Sequence, residues 1–311
     1  MKSKIIKVKN LVKKYGNLEA VSGISFDVKK GEIFGLLGEN GAGKTTTLEI
    51  LEGLRKPTSG EIEVLGHNIK KDKNSIKEKI GVQLQSSSYY SFLTLREILD
   101  LFGSFYKKRL SPSDLLEMVD LSEKANSFVG KLSGGQRQRF SIVASLVNDP
   151  ELIFLDEPTT GLDPLARRNL WQLISKIKSQ GKTVILTTHY MEEAEALCDR
   201  IAIMDHGKIL AMDDTHKLLD QAKYPYTINF VKEKPNANEM KKLASLGRIE
   251  NLYGKTEQFI IRFQAKVNAE KAMTIVEKMK PEISTFGRAN LEDLFIELTG
   301  REIENSEEGN A

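Results

Sequence analysis

Near the start of the chain, apolar and polar positions alternate over Ile5 to Val12 and Val21 to Val28, with Ile24, Phe26 and Val28 on one face. This period of two predicts two antiparallel strands, each with one solvated face. The alternation then stops. Ile33-Phe34-Gly35-Leu36-Leu37 is apolar throughout, and Leu152-Ile153-Phe154-Leu155 and Thr183 to Leu186 read the same way. Short continuous apolar runs predict strands buried on both faces of a parallel sheet. Further strands are expected at Glu61 to Leu65, Ile80 to Leu84, Ile201 to Met204 and Ile209 to Met212, bounded by the turns at Lys56-Pro57-Thr58-Ser59-Gly60, Gly66-His67-Asn68 and Asp205-His206-Gly207-Lys208.

Between these strands the pattern lengthens to that of helices: Thr45 to Leu54, Phe140 to Val147, Asp163 to about Gln180 with a stop at Gly181, and Met191 to Leu197. Thr94-Leu95-Arg96-Glu97 has the capping-box pattern and opens a helix to about Tyr106, and Ser111-Pro112-Ser113-Asp114 opens another with Pro at its first position. This helical stretch interrupts the strand and helix alternation, as an inserted helical subdomain would, over about residues 86–147. Beyond residue 222 the order becomes strand, helix, strand, strand, helix, strand: Tyr226 to Val231, Asn238 to Leu246, Ile249 to Leu252, Gln258 to Phe263, Asn268 to Met279 and Ile283 to Phe286, closed by a helix from Asn290 to Leu298. That βαββαβ order suits a small α+β ferredoxin-like domain. The expected division is a domain over 1–222, a second over 223–301, and a polar, acid-rich tail over 302–311 with little to bury.

Composition narrows the picture by exclusion. With 311 residues, 40% hydrophobic and 29% charged, the chain is long enough for one large and one small packed domain. A net charge of +3 is too mild to argue for nucleic acid as a partner. The single Cys198 excludes an internal disulfide and reads as core packing. No apolar run reaches the length of a membrane span, and Met1 to Lys7 lacks the apolar segment of a signal peptide, so attachment to a membrane is expected only through a partner.

The candidate chemistry lies where strands end. Gly38-Glu39-Asn40-Gly41-Ala42-Gly43-Lys44-Thr45-Thr46 follows a buried strand and opens a helix. In that context a GxxxxGK[ST] loop wraps backbone N–H groups around a phosphate over the positive end of the helix, Lys44 reaches the β- and γ-phosphates, and the Thr45 hydroxyl holds a Mg2+ that keeps most of its waters. Leu152 to Leu155 ends in Asp156-Glu157-Pro158: Asp156 suits the Mg2+ and its waters, Glu157 a general base, and the plainer reading is a pair of acids capping a turn. Leu132-Ser133-Gly134-Gly135-Gln136 is either a second anion-binding turn or a helix cap, and Asp163 caps the helix after the acids. His189 follows a core strand at the same sheet end and is a candidate polar group, whereas His67, His206 and His216 read as turn or surface residues and Trp171 as packing. Tyr15, at a strand end, is either packing or a base-stacking ring.

Together, the glycine loop, the Leu-Ser-Gly-Gly-Gln turn and the apolar strand ending in Asp-Glu resemble the ATP-binding subunits of ABC transporters. The resemblance spans roughly residues 4–220 and is closest to the subfamily that powers drug, antibiotic and lipid exporters with separate membrane subunits. The stretch Leu291 to Gly300 is similar to that subfamily's accessory domain. The resemblance implies a P-loop NTPase fold with an antiparallel β subdomain and an inserted helical subdomain. It also implies ATP and Mg2+ as ligands and hydrolysis of ATP to ADP and phosphate. On matching positions, Tyr15 would be the adenine-stacking aromatic, Gly38 to Thr46 the phosphate loop, and Gln85 the glutamine at the Mg2+ and transmembrane-coupling position, preferred over Gln83 because of the register of the preceding strand. Ser133, Gly134, Gly135 and Gln136 would be the signature, Asp156 the Mg2+ carboxylate, Glu157 the catalytic carboxylate, Asp163 the following loop aspartate and His189 the switch histidine. One copy of each motif implies a second ATP-binding subunit, a homodimer being expected, and the resemblance implies a separate transmembrane permease that holds this subunit at the cytoplasmic face of the membrane. The aromatic loop of Tyr89, Tyr90 and Phe92 is the expected docking region. Ribosome-acting relatives usually carry two such domains in one chain and DNA-acting ones insert a long coiled coil; neither feature is present, and a purely regulatory module sits poorly with a full catalytic set.

Overall fold

A computed structural model describes residues 3–84, 89–233, 235–252 and 258–300. The chain divides into two compact units, Met1–Thr215 and His216–Ala311. The tail expected over 302–311 lies outside the described residues, as does Gln85.

In the first unit the elements are β1 (Lys4–Tyr15), β2 (Leu18–Lys29), β3 (Ile33–Leu37), α1 (Lys44–Leu51), β4 (Ser59–Val64), β5 (His67–Asn68), α2 (Lys73–Lys77) and β6 (Ile80–Gln83). Then follow α3 (Leu95–Ser104), α4 (Pro112–Met118), α5 (Gly134–Ala144), β7 (Leu152–Asp156), α6 (Pro164–Ser179), β8 (Thr183–Thr188), α7 (Met191–Leu197), β9 (Arg200–Asp205) and β10 (Lys208–Asp214), with α8 (Thr215–Asp220) at the boundary. Two sheets result. The alternating strands form an antiparallel sheet in the order β2-β1-β4-β5, and the apolar runs form a six-stranded sheet in the order β10-β9-β3-β8-β7-β6, parallel except at the β10 edge. His67, read as a turn residue, pairs with Val64 in β5 instead.

The core joins the two sheets. Phe26 of β2 and Phe34 of β3 stack with centroids 5.5 Å apart, and Ile6, Val8, Leu36, Phe154 and Ile185 are buried around them. Burying each such side chain contributes about 1.5–3 kcal/mol. Close approach decides two small residues: a Cβ on Gly81 would lie 2.0 Å from the Ser145 carbonyl oxygen, so Gly81→Ala would force β6 away from the end of α5. Gly35 likewise leaves room for Cys198, whose Sγ would meet a Cβ there at 2.7 Å.

The helical segment begins as its capping pattern predicts: Thr94 caps α3 reciprocally with Glu97, and Ser111 caps α4. One boundary moves. The helix placed at Phe140 starts at Gly134, because the Ser133 hydroxyl accepts from the Gln136 N–H while the Gln136 side chain accepts from the Ser133 N–H, which draws the two glycines into the first turn. Trp171, expected as packing alone, also donates its indole N–H to Glu193 Oε1 at 3.2 Å, tying α6 to α7.

The second unit contains β11 (Tyr226–Val231), α9 (Ala237–Leu246), β12 (Arg248–Leu252), β13 (Gln258–Phe263), α10 (Lys266–Lys278), β14 (Ile283–Arg288) and α11 (Leu291–Thr299). Its sheet runs β12-β13-β11-β14 with every pairing antiparallel, the arrangement of a split βαβ motif. Alternation places Ile228, Phe230, Ile261 and Phe263 on one face, where Leu243 of α9 and Ala269, Ala272 and Val276 of α10 cover them. Arg262 is buried and pairs with Glu250 and with Asp293 at the start of α11.

Candidate active site

The site grows from the C-terminal edge of the parallel sheet, where β3, β7 and β8 end side by side. β3 passes into the glycine loop. There Gly43 has φ +97°, a conformation costly for any residue with a Cβ, and a Cβ at that position would also lie 2.4 Å from the Ala20 carbonyl oxygen. Ala42 is buried and its N–H donates to the Glu39 carbonyl at 3.2 Å, so the turn closes on itself. Lys44 begins α1 with its side chain only 4% exposed and folded back over the loop. Its Nζ donates to the Gly38 and Glu39 carbonyls at 2.8 and 3.0 Å and stands 3.5 Å from Glu157 Oε1. Burial pushes the ammonium below its ordinary value, and the nearby Glu157 charge opposes that push.

β7 and β8 run parallel with Asp156 opposite Thr187. That register puts one hydroxyl between two functional groups: Thr187 Oγ1 donates to Asp156 Oδ1 and accepts from the Glu157 N–H at 2.9 Å. Thr45 Oγ1 donates to the same Asp156 oxygen at 3.2 Å. Burial raises the Asp156 carboxyl above its usual range, only partly offset by these two hydroxyls. A hydroxyl and a carboxylate oxygen meeting at a buried point that favours an added positive charge are the hard-oxygen donors Mg2+ takes, and so few protein ligands suit an ion that keeps several waters. The residues therefore fit that ion.

Glu157 is the most constrained residue of the site. It sits at φ +46°, a conformation that costs a non-glycine residue roughly 1–3 kcal/mol and that the Thr187 bond to its N–H helps to hold. Thr160 Oγ1 donates to Oε2 at 3.1 Å, and His189 Nδ1 faces the same oxygen at 3.4 Å. The side-chain contact with His189 first, and the Lys44 charge next, hold its carboxyl down at about 2 although burial works the other way. The result is an ionised, buried carboxylate between a lysine and a histidine.

Lys44, Thr45, Asp156, Glu157 and His189 thus converge. Ser133, Gly134, Gly135 and Gln136 sit elsewhere, at the N-terminus of α5, where a Cβ on Gly135 would meet Ala166 of α6 at 3.3 Å. Asp163 caps that same α6 through the Ala166 N–H at 2.9 Å. Tyr15 ends β1 half exposed, its ring centroid 4.8 Å from Lys13 Nζ and 5.7 Å from the Arg55 guanidinium. Gln83 closes β6 buried, its amide donating to the Leu84 carbonyl at 2.7 Å. Sequence reasoning passed over Thr187 and Thr160. The only available signal was two threonines ending an otherwise apolar strand.

Comparison with known proteins gives this geometry its context. Residues 21–160 match the family model for the ABC transporter. The chain is 38% identical to the Nod factor export ATP-binding protein I of Burkholderia orbicola (strain AU 1054), over 96% of this chain and 98% of that protein. It is 37% identical to the linearmycin resistance ATP-binding protein LnrL of Bacillus subtilis (strain 168), over 96% and 99%. Among solved structures, an ATP-binding subunit of an ABC transporter superposes with a TM-score of 0.63 at 30% identity, covering 70% of this chain and 92% of that one. A dimeric bacterial ABC transporter cassette superposes with a TM-score of 0.61 at 31% identity, covering 67% and 98%.

Proposed function

The chain belongs to the ABC transporter family of ATP-binding subunits, and from that premise we propose that it binds and hydrolyses ATP to energise export of an antibiotic-, drug- or lipid-like substrate through a separate transmembrane partner. Its relatives named for Nod factor export and linearmycin resistance support the export reading. The observation that carries the hydrolytic part is the convergence of Lys44, Thr45, Asp156, Glu157 and His189 at one sheet edge.

In this reading Lys44 exchanges its two loop carbonyls and its Glu157 contact for the β- and γ-phosphates. Losing that ammonium frees Glu157 of a charge that depresses its proton affinity, so the carboxylate becomes a better base as the phosphate arrives. Glu157 then orients the attacking water and takes its proton, with His189 beside it. Thr45 and Asp156 would hold Mg2+, which when bound would supply positive charge against the phosphates. Gln85 takes the coupling position that the resemblance assigns to it. Tyr15 stacks on the base, and the phosphate loop from Gly38 through Glu39, Asn40, Gly41, Ala42 and Gly43 to Thr46 wraps the phosphates.

The signature completes the site from a second subunit. Among the described residues Ser133 to Gln136 make no hydrogen bond to Lys44, whose partners are Gly38, Glu39 and Glu157, which supports a nucleotide sandwiched between the phosphate loop of one chain and the signature and Asp163 of another. The second unit, His216–Ala311, which contains the domain expected over 223–301, serves as an accessory or regulatory domain. The membrane partner docks beside the α3 region, a reading supported by Tyr90 and Phe92, which pair with rings 5.8 Å apart with Phe92 72% exposed, and the subunit works at the cytoplasmic face of the membrane.

The test uses two crippled chains. Lys44→Ala and Ser133→Arg should each be inactive alone, because each homodimer carries its lesion in both sites. Mixed, with membrane subunits present, they form one whole site and should give an ATP-dependent crosslink across it. No such crosslink at any mixing ratio, with both chains folded, would overturn the shared site.

A further inference from the structure

Beside the docking region lies a cavity of about 520 Å³ walled by Leu54, Leu84, Tyr89, Phe102 and Phe105. Phe105 is 74% and Leu54 56% exposed, so the opening is an apolar groove at the surface. One acid lines it. Glu52 caps the C-terminal end of α1, is 2% exposed, and neither of its carboxylate oxygens has a hydrogen-bond partner among the described residues. Among the described residues no cation pairs with it: the charges acting on it are those of Asp156 and Glu49, both acidic, and Lys77, on the same cavity wall, makes no ion pair with it. A lone buried carboxylate is among the most costly arrangements a protein can hold, and it stays charged only when a cation is brought to it.

We propose that Glu52 is the receptor for a single Arg or Lys side chain carried on the apolar face of the membrane subunit's docking helix. The proposal rests on the docking reading above and adds to it what the groove selects. Apolar walls with one unanswered acid fit an amphipathic helix that brings one cation, and they disfavour a helix that brings an acid or a neutral polar group. The partner supplies the charge at the moment it covers the groove, so the ion pair forms out of water, where it is strong. Position adds a consequence. Glu52 ends the helix that Lys44 and Thr45 begin, and it feels the Asp156 charge, so docking at the groove alters the electrostatics of the nucleotide edge.

The experiment co-expresses the full chain with its cognate membrane subunit and measures copurification and the dissociation constant in detergent. Three chains are compared with the native one: Glu52→Gln, Glu52→Lys and Phe92→Asp, each checked for folding and for basal ATPase activity of the isolated subunit. Glu52→Gln should weaken the complex about tenfold or more with basal activity unchanged, and Glu52→Lys should abolish it. Changing one Arg or Lys of the membrane subunit's cytosolic helices to Glu should then restore binding to the Glu52→Lys chain. Should the glutamine chain fail to fold, Glu52→Met is the neutral replacement. Native-like binding by the neutral variant while Phe92→Asp fails would overturn the charge reading and leave the docking reading standing. Native-like binding by both would overturn the two together.

Discussion

Two buried carboxylates flank α1, and their surroundings drive them in opposite directions. Glu157, beside Lys44 at the helix start, lies between a lysine and a histidine and is held ionised at about 2. Glu52, at the other end, is more deeply buried, feels only acidic charges, and is pushed up to about 8. Burial raises both; what differs is that Glu157 alone has the His189 and Thr160 contacts and the Lys44 charge. Desolvation sets the cost of a buried acid, and its partners decide whether it works as a charge or waits for one.

The sharpest way to break this comparison is to neutralise the paired acid. Glu157→Gln should keep Mg-ATP binding and lose roughly 10² to 10⁴ in hydrolysis rate, accumulating an ATP-bound dimer in light scattering. Native turnover in that variant would remove Glu157 from the catalytic role.

Next in size is the pH dependence of stability, where the two acids should have opposite signs. Glu52 has a folded-state value raised from 4.5, so its contribution is complete below about 4.5 and is lost as pH rises to about 8. The loss is on the order of 5 kcal/mol. Urea melts of Glu52→Gln should fall less steeply over that range than those of the native chain. Glu157 has a lowered value, so its contribution is present above 4.5 and is lost as pH falls toward 2. Parallel native and Glu52→Gln profiles would show that Glu52 is not a raised buried acid.

A smaller change is Thr187→Val, which keeps volume but removes the hydroxyl shared by Asp156 and the Glu157 N–H. It should cost about 1–3 kcal/mol of stability and lower turnover, since the Glu157 conformation loses its anchor. Smallest is Thr160→Ala, which removes one hydroxyl from Glu157 Oε2 and should cost about 1 kcal/mol, moving the acid limb slightly toward neutral pH. Equal effects from both threonines would argue that the register of β7 and β8 is not what holds the site.

What the sequence determined by itself was everything with a local cause. The phosphate loop is readable because a backbone that must pass within van der Waals range of Ala20 and adopt φ +97° demands glycine at position 43, and helix starts are readable because Thr94, Ser111 and Ser133 meet their capping partners within three residues. Apolar runs announced buried strands, and Asp156 and Glu157 were visible as the acids that end one of them. The tertiary structure alone decided which groups meet. Asp156 faces Thr187 only because β7 and β8 align in one register, Lys44 reaches Glu157 only because β3 and β7 end at the same edge, and Glu52 is raised only because the folded chain removes water from it and brings no cation. Those are facts of long-range packing and desolvation, which depend on what surrounds a residue in space and leave no period or spacing along the chain.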